Sequence, residues 1–204
     1  MIIIGLTGQS GAGKGAASDI FLRYGIPAVD TDAVYHRILS DPQGPCTAEL
    51  ADAFGSEILN ADGTVDRKKL AQAVFGKPDT PALLHILNTV THKYIMAETR
   101  KMLHGYELSG KRAAIIDAPQ LFEARAEEEC DLVVAILAPR ELRLARIMER
   151  DGISIEAATR RIDAQHSDAF FRERCHAVLE NNGNLTMLEE QIRGFLIKFN
   201  LGLS

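Results

Sequence analysis

The stretch GLTGQSGAGKGAAS, residues 5–18, directly follows the apolar run MIII at the start of the chain. Gly8, Gly13 and Lys14 fit the pattern G-x-x-x-x-G-K-S/T of a phosphate-binding loop, but the final position holds Gly15 in place of a hydroxyl residue. Glycines let such a loop fold around a phosphate and point several backbone N–H groups at it, while the lysine and the following helix add positive charge. With an apolar strand before it and a helix after it, the stretch predicts a phosphate-binding loop rather than an ordinary glycine-rich turn.

Hydrophobic patterning beyond the loop predicts an α/β fold with a parallel sheet flanked by helices. Residues 47–104 show no convincing strand, and Leu84, Leu87, Val90 and Tyr94 repeat there at helical spacing. We therefore expect a helical insertion at about 41–104. The predicted strands are 2–6, 26–32, 112–118, 131–137 and 176–181, and the predicted helices outside the insertion are 14–24, 33–39, 139–150, 154–165 and 185–199.

Composition limits the classes of function. The chain has 204 residues and a net charge of −5, which disfavours non-specific binding to nucleic acid. The longest apolar run, LVVAILA at 132–138, is too short to span a membrane, and no secretory segment is evident. Cys46, Cys130 and Cys175 are odd in number and widely spaced, so we expect a cytoplasmic protein without a disulfide framework.

Acidic residues follow two of the predicted strands. Asp30 and Asp32 lie at the end of the second strand, and Asp117 closes the apolar strand AAIID. Ligands of open α/β sheets gather at the carboxyl ends of the strands. Asp32 could accept a proton from an attacking hydroxyl or hold a magnesium-bound water, or it could simply cap the next helix. Asp117 is a candidate second acid of the site; the alternative is a surface-turn aspartate.

Arginines recur on one face of a predicted helix. Arg143, Arg146 and Arg150 are spaced as one helical stripe, and Arg160 and Arg161 follow on the next helix. A solvated face paired with acids is one interpretation. The other is a mobile lid that places arginines against a transferring phosphoryl group.

The sequence resembles the dephospho-coenzyme A kinase family over nearly its full length. The loop and the VDTD segment at 29–32 are similar to the family's loop and acidic pair. Five further segments carry more specific similarity, and they occur in the family's order. They are DGTVDRKKLAQAVF and LNTVTH (62–75 and 87–92), DAPQLFE (117–123), RLARIMERDGISIEAATRRIDAQ (143–165) and ENNG (180–183).

The resemblance implies a P-loop NTPase-type fold and a reaction in which ATP phosphorylates the ribose 3′-hydroxyl of dephospho-coenzyme A. It implies a nucleotide-binding core of residues 1–40, 105–138 and 174–204, a helical substrate domain at 41–104 and a helical lid at 139–173. The implied cofactors are ATP as co-substrate and Mg²⁺, with Asp32 and Asp117 as metal-binding candidates. The implied partner is the small molecule dephospho-coenzyme A, without nucleic acid or membrane; the oligomeric state stays open.

The same resemblance assigns roles to individual residues. Those implied to be catalytic are Lys14, Asp32, Arg146 and Arg150. Those implied to bind the nucleotide are Gly8, Gly11, Ala12, Gly13, Lys14, Gly15, Ala16, Asn181 and Gly183. Those implied to bind or support the acceptor are Asp32, Arg67, Phe75, Asn88, His92 and Asp117.

Two positions depart from the family pattern. Gly15 and Ala16 stand where the family has hydroxyl residues, and Cys175 with His176 replaces its usual Ala-Asp pair. Water could replace the missing hydroxyl around magnesium, Ser10 or Ser18 could reach the ion, or turnover could be slow. The departures keep two alternatives to an active dephospho-coenzyme A kinase open: a weakly catalytic paralogue that binds nucleotide or a coenzyme A precursor, and another small-metabolite kinase.

Overall fold

A computed structural model describes residues 1–201. The chain divides into two compact units, one comprising Met1–Val29 and the chain from His104 on, the other comprising Asp30–Leu103. Among residues 1–201, none of the helices combines the length and apolar character needed to cross a bilayer. The division of the first unit into a core and a lid stays a prediction.

The predicted alternation of strands and helices is confirmed. The strands are β1 (Ile2–Gly8), β2 (Ala28–Asp30), β3 (Ala113–Asp117), β4 (Leu132–Leu137) and β5 (Ala177–Glu180). The helices are α1 (Lys14–Arg23), α2 (Thr31–Leu39), α3 (Pro45–Phe54), α4 (Arg67–Val74), α5 (Thr80–Leu108), α6 (Arg140–Asp151), α7 (Ile155–Asp163), α8 (Asp168–Arg174) and α9 (Leu185–Lys198). Short 3₁₀ turns lie at Ser56–Ile58 and Ala126–Glu129.

The sheet has the strand order β2-β3-β1-β4-β5, so β1 is central. It pairs in parallel with β3 and β4, and β4 pairs in parallel with β5. Ile4 and Leu6 of β1 are completely buried, as expected for a strand covered on both faces. Gly8 ends β1 with φ near 148°, and a Cβ there would lie 2.3 Å from the carbonyl oxygen of Ile136. Only glycine therefore allows β1 to stay beside β4 at the point where the phosphate loop begins.

Helices α1 and α9 pack against the same side of the sheet. Phe21 of α1 and Phe195 of α9 meet edge to face, with ring centroids 6.0 Å apart. Leu188 and Ile192 of α9 are fully buried in the same cluster, which also contains Ile4 of β1. This packing fixes the direction of α1, whose amino end carries the lysine of the loop.

Asp131 and His176 each directly precede a strand, and each forms two hydrogen bonds with the neighbouring strand, one through its side chain and one through its backbone amide. Asp131 accepts from the Ile3 amide through its carboxylate at 2.7 Å and donates its own amide to the Ile3 carbonyl at 2.9 Å. His176 does the same with Val133, accepting at Nδ1 at 3.0 Å and donating at 2.8 Å. The imidazole at 176 thus supplies an acceptor at a position where the family pattern has aspartate.

The second unit is built from helices around its own core. Leu84, Leu87, Val90 and Tyr94 pack in one cluster with α3 and α4, which confirms the predicted stripe on α5. The expected extent of the second strand is wrong, because α2 already begins at Thr31. Asp30 is the N-cap of α2, and its carboxylate accepts from the amides of Asp32 and Ala33. The capping role therefore belongs to Asp30, not to Asp32.

Helix α8 was not predicted from the sequence. Ser167 caps it by accepting from the Phe170 amide at 3.3 Å, and Asp168 occupies its first turn. A serine followed by an acid in the first turn is an N-terminal helix signal. Reading that signal in SDAFFRER would have located the helix.

Candidate active site

The loop between β1 and α1 exposes unpaired amides at the amino end of a helix. Within residues 1–201, the backbone N–H groups of Gly11, Gly13, Lys14, Gly15 and Ala16 donate no hydrogen bond. The first amides of any helix lack an intrahelical acceptor, and here the glycine turn adds two more. The helix dipole also places partial positive charge at this end. The arrangement is a binding site for an anion such as a phosphate chain.

The carbonyl groups of the same loop are, in contrast, all engaged. The carbonyl oxygen of Ser10 accepts from Arg143 Nε at 3.1 Å, that of Gly11 from Arg146 Nη1 at 3.1 Å, and that of Ala12 from Asn181 Nδ2 at 2.8 Å. In a trans peptide the C=O and the next residue's N–H point in opposite directions. Each carbonyl that is held from outside therefore turns the following amide to the opposite side. Gly11 and Gly13 are the free amides oriented in this way by Arg143 and Asn181.

Asn181 occupies the space next to Gly13. A Cβ at Gly13 would lie 2.1 Å from Asn181 Nδ2, and the backbone φ of Gly13 is near 96°, where L side chains are strained. Asn181 is itself only 3% exposed, and its Oδ1 accepts from the Gly183 amide at 3.3 Å. Asn181 thus links the phosphate loop to the segment after β5, and the same side chain contacts the other predicted nucleotide-binding position, Gly183.

Lys14 and Asp117 form an ion pair at this end of the sheet. The Lys14 ammonium donates to the Asp117 carboxylate, and the Asp117 side chain is 8% exposed while that of Lys14 is 20% exposed. Asp117 ends β3, which lies beside β1, so the parallel register brings the carboxylate to the loop. The structure therefore places a buried carboxylate and the loop lysine in direct contact.

The predicted arginine stripe separates into residues with different surroundings. Arg143 is 4% exposed and contacts the loop, as does the half-buried Arg146. Burial lowers the pKa of the Arg143 guanidinium, and the nearby Asp168 opposes that shift. Arg150 instead donates through Nε to Asp151 at 2.7 Å on the exposed side of α6, and this hydrogen bond is the main cause of an Asp151 pKa lowered to about 2. The stripe is thus neither a wholly solvated face nor a uniform set of site residues.

Gly15 lies in the first turn of α1 and is exposed. A Cβ built there meets no described atom within 4 Å, so the chain has room for the hydroxyl residue that it lacks. Ser10 and Ser18 are both only partly buried. That either hydroxyl reaches a metal stays a prediction.

The other predicted site residues lie in the second unit. Asp32 is exposed in the first turn of α2, and Arg67 begins α4 with its Nη1 3.0 Å from Nδ1 of His36. Phe75 at the end of α4 is 52% exposed. Asn88 and His92, both partly buried, lie one turn apart on α5, and burial lowers the pKa of His92. Their roles toward an acceptor stay predictions.

Two glutamines at the loop were missed by sequence reasoning. The Gln9 side chain donates through Nε2 to the His166 carbonyl and to the Asp168 carboxylate, and Gln165 Oε1 accepts from the Ser10 amide at 3.1 Å. Nothing in local sequence marks these residues, because the hydrogen bonds that join Gln9 and Ser10 to residues 165–168 span more than 150 positions of the chain.

A parallel sheet whose central strand runs into this loop, with free amides and a lysine at the start of α1, defines a P-loop nucleotide-binding protein. Similarity to known proteins narrows this class to one family. The chain belongs to the dephospho-CoA kinase family, since the family model described as dephospho-CoA kinase matches residues 2–187.

Individual relatives agree with this assignment. A protein from Corynebacterium jeikeium named dephospho-CoA kinase is 38% identical over 195 residues, which cover 96% of this chain and 98% of that protein. The crystal structure of TT1252 from Thermus thermophilus superposes with a TM-score of 0.77 and 33% identity, covering 97% of both chains. Dephospho-CoA kinase from Campylobacter jejuni, 24% identical, shares the fold with a TM-score of 0.61 and covers 96% of both chains.

Proposed function

We propose that the chain is an ATP-dependent kinase that transfers the γ-phosphoryl group of ATP to the ribose 3′-hydroxyl of dephospho-coenzyme A, giving coenzyme A and ADP. The observation that carries the proposal is the row of free amides beside Lys14 in a chain of the dephospho-CoA kinase family. Phosphoryl transfer demands little covalent chemistry from the protein. Its task is to position the reactants and to stabilise the charge on the transferring group.

Lys14 and the loop amides are proposed to hold the phosphates of ATP. The amides supply hydrogen-bond donors, and the ammonium supplies charge near the outer phosphates. In the structure Lys14 contacts Asp117, so a bound phosphate has to share the ammonium with that carboxylate. Nucleotide binding is thus expected to loosen the Lys14–Asp117 pair and to leave the carboxylate available to a cation.

The residues present fit a magnesium ion that arrives with ATP. Magnesium is usually bound by one or two carboxylates together with substrate phosphates and water, not by a dedicated protein cage. Asp117 is a buried carboxylate at the loop, and residues 1–201 hold no cluster of three or more His, Cys, Asp or Glu side chains suited to a metal. Asp117 would hold the ion, with Asp32 as the second candidate, and the bound ion would neutralise charge on the phosphates.

Asp32 is proposed as the base that accepts the proton of the 3′-hydroxyl. Its backbone amide is held by Asp30, while its carboxylate accepts no hydrogen bond from any of residues 1–201. A carboxylate that is exposed and unengaged can approach a ligand hydroxyl without first breaking a contact. Its fixed place in the first turn of α2 gives it a defined direction.

The acceptor is proposed to bind the second unit. Arg67 has no acidic partner among the described residues and contacts the ring of His36, so its charge is available for the diphosphate of dephospho-coenzyme A. The exposed ring of Phe75 offers apolar surface, and Asn88 with His92 offers polar groups on α5. Arg146 and Arg150 are proposed to belong to a lid at 139–173 that covers the nucleotide.

The decisive experiment measures ADP formation from ATP by the purified protein, with and without dephospho-coenzyme A, and identifies the phosphorylated product by mass spectrometry. We expect turnover that requires magnesium and the acceptor, and a large loss in Lys14→Ala. Lys77→Ala, an exposed lysine in the loop before α5, is the matched control and should keep its activity. Tight binding of both ligands without product, or turnover only with another acceptor, would contradict the proposal.

A further inference from the structure

The start of the phosphate loop is attached to the segment that follows α7. Residues 9 and 10 of the loop contact residues 165 to 168 and Arg143 through hydrogen bonds of 2.8 to 3.1 Å. Both Gln9 and Arg143 are at least 95% buried. Buried polar groups are costly unless they are hydrogen-bonded, so these contacts fix both side chains in one arrangement.

Arg143 and Gln165 engage the two backbone polar groups of Ser10, which belong to successive peptide groups. The guanidinium donates through Nε to the Ser10 carbonyl at 3.1 Å and through Nη2 to Gln165 Oε1 at 2.8 Å. The same oxygen of Gln165 accepts from the Ser10 amide at 3.1 Å. Both polar backbone groups of Ser10 are therefore engaged by a pair of side chains that also bind each other.

This attachment determines where the next amide points. The Ser10 carbonyl and the Gly11 N–H belong to the same trans peptide and point in opposite directions. Since Arg143 holds the carbonyl on its own side, the Gly11 N–H is turned away from Arg143. Gly11 has φ near 78°, and glycine peptides rotate easily, so the contact from Arg143 restricts the direction of an amide that would otherwise vary more.

Steric contact reinforces the arrangement. A Cβ at Gly11 would lie 2.8 Å from the carbonyl oxygen of Arg143, so the loop backbone runs directly against α6. The Gln9 side chain adds a second attachment, since its Nε2 donates to the His166 carbonyl at 3.1 Å and to Asp168 at 2.8 Å. The loop entrance is thus held at two adjacent residues.

We infer that Arg143 and Gln165 are positioning residues for the phosphoryl donor. Arg143 holds the Ser10–Gly11 peptide through the Ser10 carbonyl, and Gln165 holds both Arg143 and the preceding peptide, so that the Gly11 amide faces the phosphate chain. Neither side chain has to touch the nucleotide for this purpose. The inference rests on the proposed function, because it presumes that the loop binds a nucleotide. Its test is therefore a binding measurement that needs neither acceptor nor turnover.

The test is calorimetric titration of the full chain with ADP, which yields affinity and stoichiometry separately. Arg143→Met and Gln165→Leu keep side-chain bulk but remove the contacts to Ser10. Each is expected to weaken ADP binding about tenfold, the loss of roughly one oriented hydrogen bond to a charged ligand, with unchanged stoichiometry. Gln165→Glu keeps an oxygen that can accept from both Ser10 and Arg143, and should stay close to wild type. Arg140→Met, on the same helix but in an exposed pair with Asp163, is the control and should leave affinity unchanged.

A purely structural role gives a different pattern. Partial unfolding lowers the number of binding sites without changing their affinity, and Gln165→Glu would then behave like Gln165→Leu. Either result, or wild-type affinity in Arg143→Met and Gln165→Leu, overturns the inference. If the wild type binds ADP but phosphorylates no acceptor, the proposed function fails while the inference about Arg143 and Gln165 is still decided by these variants.

Discussion

Asn181 Nδ2 donates a hydrogen bond of 2.8 Å to the carbonyl oxygen of Ala12, and so joins the end of β5 to the phosphate loop across 169 positions of sequence. The contact is buried and leaves no space for a side chain at Gly13. The family resemblance implies a nucleotide-binding role for Asn181. The geometry favours a role exercised through the loop, because the amide holds the carbonyl whose peptide partner is the free Gly13 N–H.

Asn181→Asp tests this role. The substitution keeps the shape of the side chain but replaces the donor by a carboxylate that faces a carbonyl oxygen, so the Ala12–Gly13 peptide loses its support. We expect ADP affinity to fall about tenfold or more, since the Ala12 carbonyl keeps only its longer hydrogen bond from Arg146 Nη1, at 3.4 Å, and negative charge is placed near the phosphates. Asn182→Asp, at the exposed neighbouring position, carries the same charge change and should have a small effect. Equal losses of ADP affinity in Asn181→Asp and Asn182→Asp would contradict a specific role for the hydrogen bond from Asn181 to Ala12.

Gly15→Ser addresses the missing hydroxyl of the loop. The added Cβ has free space, so we expect the variant to fold normally. If the hydroxyl supplies one preorganised contact to the metal, the rate of phosphoryl transfer should rise, by up to on the order of a hundredfold. The measurement is kcat as a function of magnesium concentration.

Gly15→Ala is the matched control for that gain. Alanine fills the same space and raises helix propensity by about 1 kcal/mol, but brings no oxygen. A rate increase in Gly15→Ala equal to that of Gly15→Ser would assign the effect to helix stability. No increase in Gly15→Ser would contradict the expectation that a hydroxyl at this position speeds phosphoryl transfer.

Asp32→Asn tests whether Asp32, and not its neighbour Asp30, acts as the base. Removing the base should lower kcat by about 10²- to 10⁴-fold while ADP affinity stays unchanged. Asp30→Asn serves as the control, because asparagine caps a helix about as well as aspartate and should preserve α2 and the activity. A kcat for Asp32→Asn within a few-fold of the wild type would remove Asp32 from the catalytic set.

His176 provides a test of stability away from the nucleotide. Its Nδ1 accepts the Val133 amide at the beginning of β4, so His176→Ala should lower the free energy of unfolding by about 1–3 kcal/mol. His176→Asp keeps an acceptor in the same place, as Asp131 does for β1, and should lose much less. Urea unfolding of the three proteins measures the difference. Similar losses of unfolding free energy in His176→Ala and His176→Asp would mean that the hydrogen bond from the Val133 amide contributes little to stability.

The burial of His92 predicts in which direction the stability of the protein changes with pH. Burial lowers the pKa of His92 below its ordinary value of 6.5, so the folded protein disfavours the charged imidazole. The unfolded chain then binds more protons in this range, and the contribution of His92 to stability is complete above about pH 6.5 and declines as the pH falls below it. His92→Gln should flatten the stability profile between about pH 5 and 7. The free energy of unfolding is measured by urea denaturation at several pH values. If its dependence on pH is the same in His92→Gln as in the wild type, the lowered pKa of His92 is contradicted.

Local sequence predicted the elements of the site, but not the contacts that orient them. Gly8, Gly13 and Lys14 could be identified because the motif lies within one short stretch, and Asp117 because a polar residue ended an apolar strand. The helix boundary at Thr31 was missed, since the choice between Asp30 and Asp32 as the cap depends on backbone geometry. Sequence spacing placed Arg143, Arg146 and Arg150 on one stripe, but only the packing of α6 against the loop determines which of them reaches its carbonyls.

The side chains that hold the loop carbonyls have a further consequence for the order in which the protein is made. The glycines emerge from the ribosome within the first fifteen residues, yet Arg143, Arg146 and Asn181 are synthesised much later. A nascent chain that has reached β4 carries the phosphate loop without the groups that orient its amides. We therefore expect ATP retention during translation to begin only after the last strand has left the exit tunnel, so that unfinished chains compete little for the nucleotide pool.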